Sequence, residues 1–210
     1  FFPAQAGRAA IEAGMRAALG IVVIEFPTPY ASDAQDYLRK GLAARDALKN
    51  EALLSFCMAP HAPYTVSDAS FEQVATLAEQ LQLPVHLHVH EIEYEIHEHV
   101  KQHGVRPLER LHRLGLLGPE LIAVHAVHLD DVEIALLAAQ GCSVAHCPAS
   151  NLKLASGFAR LGDMLSAGIN VGIGTDGAAS NNRLDILEEL RLAALVSKAV
   201  SNDAQTLPVH

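Results

Sequence analysis

Short apolar runs alternate with amphipathic stretches along the whole sequence, and this alternation restricts the fold more than any other feature. Each run ends in polar residues, and the stretch after it repeats its apolar residues at the 3.6-residue period of a helix. Strands that alternate with helices, with no hairpin signal between them, predict a parallel sheet with right-handed crossovers. The six predicted strands are Leu19–Phe26, Leu53–Ala59, Pro84–Val89, Leu121–Leu129, Cys142–Ala145 and Ile169–Ile173.

Helices are predicted on either side of these strands, and capping residues support several of them. Ser32-Asp33 and Ser67-Asp68 are typical helix starts, while Gly141 and Gly168 follow predicted helix ends. No Pro-, Gly- or Ser-rich linker divides the chain, so a single domain is predicted. The predicted helices are Ala9–Ala18, Asp33–Leu48, Ser67–Gln82, Pro107–Leu114, Asp130–Gln140, Phe158–Ala167 and Leu184–Val200.

The composition of this 210-residue chain excludes several classes of protein. Half of the residues are hydrophobic and 19% are charged, which is too apolar for a disordered chain. The net charge of −9 argues against nucleic acid as a partner, because phosphate binding needs clustered basic side chains. No apolar run is long enough to predict a membrane span. Three cysteines without close pairing favour a reducing, cytoplasmic setting.

Two folds remain open on the strand pattern alone. One is a doubly wound open sheet of six strands, and the other is an eight-stranded β/α barrel with two strand–helix units missing. In both folds ligands bind at the carboxyl ends of the strands, where this sequence has groups that bind metals or transfer protons. These groups are Pro60-His61, His86–Glu91, His125–His128, His146–Asn151 and Gly174–Gly177.

Histidine is over-represented, with 12 residues in the chain, and several of them stand at these strand ends. A single such histidine is more often a core residue with a local partner. Repetition at the same place in successive units instead favours one shared site. On the third predicted strand the two-residue period places His86, His88 and His90 on one face, with Glu91 just beyond the strand.

A competing motif is Gly172–Gly177, which matches the dinucleotide-binding pattern G-x-G-x-x-G after a strand. Three features argue against that function. Asp176 would face the pyrophosphate, the next helix begins late, and no acidic residue lies about twenty positions further on. The helical zinc-protease pattern and the Pro-Cys-x-x-Cys deaminase pattern are both absent.

The other polar and sulfur-containing residues have ordinary interpretations. Cys57 and Cys142 lie in strand runs and are predicted to be core residues. His97, His99 and His103 lie in a charged stretch that is predicted to be a solvated loop or helix face. A set of helical arginines is predicted to face solvent: Arg106, Arg110 and Arg113.

Four longer motifs occur at the strand ends: His88–Glu91, His125–Leu129, Cys147–Leu154 and Gly174–Asn182. Together they resemble the metal-dependent amidohydrolase superfamily. Within it they are most similar to the 5-methylthioadenosine/S-adenosylhomocysteine deaminases and the related chlorohydrolases. The resemblance extends over essentially the whole chain.

This resemblance implies an α/β fold, the (β/α)8 TIM-type barrel, of which strands three to eight are present here. It implies one divalent metal ion, most often zinc, with iron or manganese as alternatives. His88 and Asp176 correspond to metal ligands. Glu91, His125 and Asp176 correspond to catalytic residues, and His61, Glu91 and Asp176 to substrate-binding residues.

The function that the resemblance implies is hydrolytic deamination of an adenosine-type nucleoside, with release of ammonia. Alternatives with the same fold are a triazine aminohydrolase or chlorohydrolase and a guanine-type purine deaminase. A different alternative is a non-catalytic fragment or binding module. The resemblance also implies a small-molecule nucleoside as the partner and is compatible with a homodimer. The composition predicts neither a nucleic-acid nor a membrane partner.

The sequence departs from the family pattern in two places. The His-x-His of the first strand is absent, and Ile92 stands where Thr usually follows the glutamate. Residues 1–210 are therefore expected to be a partial catalytic barrel that lacks the first two strands and the C-terminal part of the family pattern. We expect the chain to be part of a longer enzyme and to be inactive in isolation.

Overall fold

The computed structural model describes residues 2–207, in which strands and helices alternate as the sequence pattern predicts. The strands are β1 (Ala17–Val23), β2 (Leu54–Pro60), β3 (Val85–Val89), β4 (Leu121–His125), β5 (Ser143–His146) and β6 (Asn170–Ile173). The helices are α1 (Pro3–Glu12), α2 (Ala34–Leu48), α3 (Asp68–Leu81), α4 (Glu93–His103), α5 (Pro107–Arg113), α6 (Asp131–Ala139), α7 (Pro148–Lys153), α8 (Leu161–Ser166) and α9 (Ile186–Ser201).

The strands form a six-stranded sheet in chain order, β1-β2-β3-β4-β5-β6. Neighbours run parallel: β1 pairs with β2 from Ala17↔Leu54 onward, and β5 pairs with β6 from Ser143↔Asn170 onward. A doubly wound sheet reverses its strand order at a switch point, whereas successive units of a β/α barrel follow the chain. The strand order therefore favours the barrel over the open sheet.

The chain divides into two compact units, and the division falls within β3. The first unit extends to Leu87 and includes Arg113–Leu116, whereas the second consists of His88–His112 and continues from Leu117. No helix in residues 2–207 combines the length and apolar character needed to cross a membrane. The first unit buries Ile21, Val23, Tyr37, Met58, Phe71 and Val74. The second unit buries Leu108, Leu121, Ala123, Leu137, Val144 and Met164.

The predicted capping residues are confirmed. The Asp33 side chain accepts a hydrogen bond from the N–H of Asp36 at the start of α2, and Ser67 accepts one from Ser70 at the start of α3. Gly141 and Gly168 follow α6 and α8 with φ angles of 70° and 82°. This left-handed conformation suits glycine at a helix C-terminus.

The N-terminal helix lies earlier than predicted. It spans Pro3–Glu12 rather than Ala9–Ala18, and β1 already begins at Ala17. Proline is favoured in the first turn of a helix because its missing N–H would have no helical partner there. Gly14, with φ 65°, follows the helix end and allows the turn into β1.

The charged stretch after β3 forms helix α4, and its histidines are not all solvated. His97 is exposed, whereas His99 is buried and its ring stacks on that of His103 at 4.3 Å between centroids. Arg110 on α5 is also buried, so the prediction that it faces solvent is wrong. Cys57 and Cys142 are buried as predicted, and burial raises the pKa of both thiols.

Candidate active site

The segment after β3 carries the first part of the candidate site. His88 lies on β3 and is half-buried, and Glu91 lies between β3 and α4. The prediction that His90 shares a face with His88 is wrong. The strand ends at Val89, and His90 adopts a left-handed φ of 53° with its ring fully buried.

Glu95, in the first turn of α4, holds the backbone of this segment. Its Oε1 accepts a hydrogen bond from the N–H of His90 at 3.1 Å, and its Oε2 accepts one from the N–H of Glu91 at 3.2 Å. Burial raises the pKa of the Glu95 carboxyl, and the charge of His90 and the two N–H groups offset only part of that effect.

The end of β4 places His125 beside the residues from β3. Its ring is buried and stacks on that of His88, with 5.5 Å between centroids and 24° between planes. The Nε2 atom of His125 lies 3.7 Å from Oε2 of Glu91. Its Nδ1 atom lies 2.9 Å from Oδ1 of Asn151, so the amide oxygen accepts a hydrogen bond from Nδ1. The structure thus brings together His88, Glu91 and His125.

Asp176, after β6, is held by three hydrogen bonds. Its Oδ2 accepts from the hydroxyls of Ser150 (2.7 Å) and Ser180 (2.6 Å), and its Oδ1 accepts from the N–H of Gly177 at 2.7 Å. Burial opposes ionisation of Asp176. The three donors and the positive charge of His125 outweigh burial, so its pKa lies below the usual value. The side chain is therefore a carboxylate at neutral pH.

The buried carboxylate of Glu189 joins α7 to the Asp176 loop. It accepts hydrogen bonds from the N–H of Ala149 at 2.9 Å and from the side-chain amide of Asn181 at 2.6 Å. The same amide of Asn181 donates to the carbonyl of Thr175 at 2.8 Å. Helix α9, which carries Glu189, thereby anchors both segments that contact Asp176.

Glu133 and Arg106 form an ion pair next to the buried ring of His90. Arg106 donates to both carboxylate oxygens of Glu133, at 2.8 and 2.7 Å, and to the carbonyl of His128 at 2.7 Å. Burial opposes ionisation of Glu133, but the His90 ring, with Nδ1 3.4 Å from Oε2, and the hydrogen bonds from Arg106 hold its pKa at about 2. Arg106 therefore makes a structural ion pair, and the prediction that it faces solvent is wrong.

The residues at the end of β5 are buried and uncharged. Burial and the positive charge of His125 lower the pKa of His146 to about 4. Burial and the negative charge of Asp176 raise the pKa of the Cys147 thiol to about 12. Neither side chain carries a charge at neutral pH, which limits Cys147 as a nucleophile because the thiolate is the reactive form.

His61 belongs to the first unit, whereas the other four predicted site residues belong to the second. It follows β2 and is half-buried. Its Nδ1 lies 2.9 Å from the hydroxyl of Thr65, and its ring meets that of Tyr64 edge-on at 6.1 Å between centroids. These local contacts fix the ring of His61 within its own unit.

Left-handed backbone conformations occur at the ends of three strands. His90 follows β3, His125 and Ala126 lie at the end of β4, and Asp176 follows β6, with φ angles of 53°, 69°, 48° and 59°. Residues other than glycine rarely adopt positive φ, and such strain is concentrated at functional sites. The conformation also explains why β4 ends at His125 rather than at Leu129 as predicted.

The candidate metal ligands form an incomplete set. In residues 2–207 no group of three or more His, Cys, Asp or Glu side chains is arranged to hold a metal ion. His88 and Asp176 are both of the type that binds divalent metals. A complete site built on them would need further ligands.

Comparison with known proteins identifies the family to which these strand ends belong. A family model described as "Amidohydrolase family" matches residues 3–209. The chain belongs to the amidohydrolase family. Together with the strand order, this membership identifies the fold as that of the amidohydrolase (β/α)8 barrel, of which six strands lie in the described residues.

Two relatives are especially similar to this amidohydrolase chain. A curated protein from Saccharophagus degradans, 5-methylthioadenosine/S-adenosylhomocysteine deaminase, is 45% identical over 99% of this chain and 46% of its own length. The crystal structure of an adenosine deaminase from Xanthomonas campestris with bound zinc has 50% identity and a TM-score of 0.96, covering 99% of this chain and 47% of that chain. The chain thus spans about half the length of these relatives.

An atrazine chlorohydrolase from Arthrobacter aurescens, also complexed with zinc, is a more distant structural neighbour. It has 26% identity and a TM-score of 0.83, covering 93% of this chain and 45% of that chain. The amidohydrolase fold of this chain is therefore shared with both deaminases and dechlorinating enzymes.

Sequence reasoning missed several residues that organise this amidohydrolase site. Ser150 and Asn151 lie within the quoted Cys147–Leu154 motif, but no role was assigned to them. For Glu133 the sequence does contain an indication of a specific role, because Asp130-x-x-Glu133 is a capping-box pattern. That capping box is formed at the start of α6. Glu95 and Glu189 had no sequence signal that separates them from the solvated acids on the same helices.

Proposed function

We propose that this chain is the catalytic part of a metal-dependent aminohydrolase that deaminates an adenosine-type nucleoside. The substrates in view are 5-methylthioadenosine and S-adenosylhomocysteine. The observation that carries the proposal is the Glu91–His125 pair, a carboxylate oxygen 3.7 Å from the Nε2 of a buried imidazole. The names of the Saccharophagus and Xanthomonas relatives support the same class of reaction.

A divalent metal ion fits part of this donor set. A carboxylate can accept about four hydrogen bonds, and three donors from residues 2–207 reach Asp176. One lone pair, on Oδ1, is left for a cation, and the imidazole of His88 is the second candidate ligand. We propose one zinc ion at this site, with iron or manganese as alternatives, because imidazole and carboxylate ligands suit all three metals.

When bound, such an ion supplies a water molecule whose pKa is lowered toward about 7. Asp176 is ionised and can accept the proton that the attacking water gives up. His125 is oriented by Asn151 through Nδ1, so its Nε2 faces the reacting group. With a proton on Nε2, the imidazole can stabilise the oxygen added to the ring.

Glu91 serves as the proton carrier. In protonated form it donates to the purine N1 as water adds at C6, which lets electron density leave the ring carbon. The resulting carboxylate takes the proton of the hydroxyl added at C6 and carries it to the amine, so ammonia leaves as the 6-oxo group forms. The proton that Asp176 accepted from the water is then released, and Glu91 is protonated again. Ammonia is a far better leaving group than amide anion, whereas chloride leaves without a proton. The presence of Glu91 therefore favours deamination over dechlorination.

We further propose that His61 binds the substrate and that residues 1–210 form a partial catalytic barrel. Six strands of an eight-stranded fold and two candidate ligands leave both the barrel and the metal site incomplete. The isolated chain is accordingly expected to bind zinc weakly and to be inactive. The complete enzyme is proposed to be a cytoplasmic homodimer that binds small nucleosides.

The central experiment replaces Glu91 with Gln in the complete enzyme that contains this chain. Loss of the proton carrier should lower kcat for ammonia release from 5-methylthioadenosine by at least about 100-fold. The matched control is Glu93→Gln, which removes the same charge from an exposed position two residues away. Activity of Glu91→Gln within a few-fold of the control would contradict the role of Glu91.

A substrate panel separates the alternatives that share this fold. It should contain 5-methylthioadenosine, S-adenosylhomocysteine, guanine, an aminotriazine and a chlorotriazine, with ammonia and chloride measured for each. We expect ammonia release from the two nucleosides to be fastest. Faster chloride release from the chlorotriazine would instead favour the chlorohydrolase function that the Arthrobacter neighbour carries.

A further inference from the structure

The buried carboxylate of Glu95 contacts the backbone of two site residues and none of the side chains proposed to react. Its two oxygens accept separate hydrogen bonds, at 3.1 Å from the N–H of His90 and at 3.2 Å from the N–H of Glu91. Only 5% of Glu95 is exposed, although glutamate is rarely buried without a specific partner. The desolvation of this carboxylate is offset by the two backbone donors.

On the α4 side, the N-cap residue adds no side-chain hydrogen bond to this backbone. Ile92 is the N-cap of α4 and has no side chain that can accept a hydrogen bond. Glu95 is the third helical residue, the position from which a glutamate side chain reaches back past the helix start. In this chain it reaches beyond the N-cap, to the two residues before Ile92.

The other side of the same segment is fixed by the residues that follow β4. The carbonyl of His90 accepts hydrogen bonds from the N–H groups of Val127 and His128, both at 3.1 Å. His90 itself adopts a left-handed φ of 53°. A non-glycine residue keeps that conformation only where its surroundings hold it. Glu95 and the residues after β4 therefore clamp His90 from opposite sides, and Glu91 follows directly.

We propose that Glu95 is the positioning residue for Glu91: one rigid carboxylate fixes both N–H groups of the His90–Glu91 turn and so directs the Glu91 side chain at His125. This inference rests on the proposed role of Glu91 as the proton carrier. Glutamine at position 95 has one acceptor oxygen and one NH2 group, so it can replace only one of the two hydrogen bonds. The turn would then lose one of its two fixed points.

The kinetic test compares Glu95→Gln with Glu93→Gln in the complete enzyme. Both variants remove one negative charge from the first turn of α4, but Glu93 is exposed and contacts His97 rather than the turn. We expect Glu95→Gln to lower kcat by about 10-fold to 100-fold, the size of effect that misplacement of a reacting group produces. KM should change by less than about threefold, because Glu95 is not proposed to touch substrate. Equal kcat values for the two variants would overturn the inference.

A second measurement does not depend on activity. Amide hydrogen exchange at His90 and Glu91, followed by NMR, should be faster in Glu95→Gln than in Glu93→Gln by about tenfold or more. If the wild-type enzyme releases no ammonia from any nucleoside, the proposed function fails, and amide exchange alone decides whether Glu95 holds the turn. Unchanged exchange at both amides would overturn the inference.

Glu95→Asp provides the second variant in case the glutamine variant does not fold. Aspartate keeps the charge but is one methylene shorter, so it can reach only one of the two N–H groups. It should show a fall in kcat in the same direction as Glu95→Gln. Wild-type kcat and wild-type exchange in Glu95→Asp would contradict the requirement for both hydrogen bonds.

Discussion

The amide oxygen of Asn151 lies 2.9 Å from Nδ1 of His125, and this contact determines which ring nitrogen carries the proton. An amide oxygen only accepts, so Nδ1 donates, and Nε2 is left to face Glu91 at 3.7 Å. Asn151 thus keeps Nε2 of His125 directed at Glu91.

Replacing Asn151 with Leu should remove this preference. The Nδ1–H tautomer should dominate in the wild type, whereas both tautomers should be populated in Asn151→Leu. The change should also destabilise the protein by about 1–3 kcal/mol, because a buried donor loses its partner. Nitrogen-15 NMR of His125 and urea denaturation measure the two effects.

Asn170→Leu is the control for that substitution. Asn170 lies on β6, is exposed, and donates to the Ser143 hydroxyl at 3.1 Å. The His125 tautomer should not change in this variant. A wild-type tautomer ratio in Asn151→Leu would show that another group orients the ring.

Ionisation of Glu133 should make the free energy of unfolding depend on pH below the usual pKa of a glutamate. Its folded-state pKa of about 2 lies below the usual 4.5, so the stabilisation is fully present above pH 4.5 and is lost as pH falls toward 2. Glu133→Gln should cost up to about 3 kcal/mol at pH 7 and much less near pH 2. Urea denaturation at both pH values measures the difference.

The exposed carboxylate of Asp46 provides the comparison for Glu133. It pairs with Arg45 and Lys49 on the surface of α2, where ion pairs contribute about 0–1 kcal/mol. Asp46→Asn should therefore have little effect at either pH. If Glu133→Gln behaves like Asp46→Asn at pH 7, the buried ion pair with Arg106 does not contribute to stability.

The two serines that donate to Asp176 should keep its pKa low. Ser150→Ala and Ser180→Ala each remove one hydrogen bond to Oδ2, so each should raise the pKa of Asp176, and the double variant should raise it further. Carbon-13 NMR titration of the Asp176 carboxyl measures this shift. Ser143→Ala, which leaves Asp176 untouched, should not move it; a shift of equal size there would rule out the two serines as the cause.

Gly41 on α2 should not tolerate alanine. A Cβ atom at this position would lie 2.5 Å from Cγ2 of Ile21, which is fully buried on β1. Overpacking of this kind costs about 1–3 kcal/mol, and thermal unfolding of Gly41→Ala should show the loss. Gly118→Ala is the control, because a Cβ there meets no atom within 4 Å. Equal melting temperatures would show that α2 moves to accept the methyl group.

The periodicity of hydrophobic residues and the helix-capping residues were sufficient to predict most of the fold. The six strands and most helices lie within a few residues of their predicted positions, since Asp33, Ser67 and Gly141 act as caps in the way their types favour. Strand ends were less predictable. His90 and His125 adopt positive φ angles that their residue types do not favour, so nothing local in the sequence indicates them.

The sequence indicated the residues that are proposed to take part in chemistry, but it did not indicate the residues that hold them in place. His88, Glu91, His125 and Asp176 all belong to the second unit. Arg106 was predicted to face solvent and Glu95 had no predicted role, because their burial depends on contacts with segments distant in the chain or across a turn. A sequence pattern carries no information about such contacts.

Two adjacent residues of the short helix α7 contact different site residues. Ser150 donates a hydrogen bond to Asp176, and Asn151 accepts one from His125. Consecutive helical residues point about 100° apart, so both contacts depend on one rotational setting of a six-residue helix. A single inserted or deleted residue within Pro148–Lys153 would turn both side chains away at once. Anyone who tags, permutes or recombines this protein should therefore leave the length of that helix unchanged and place junctions in surface loops elsewhere.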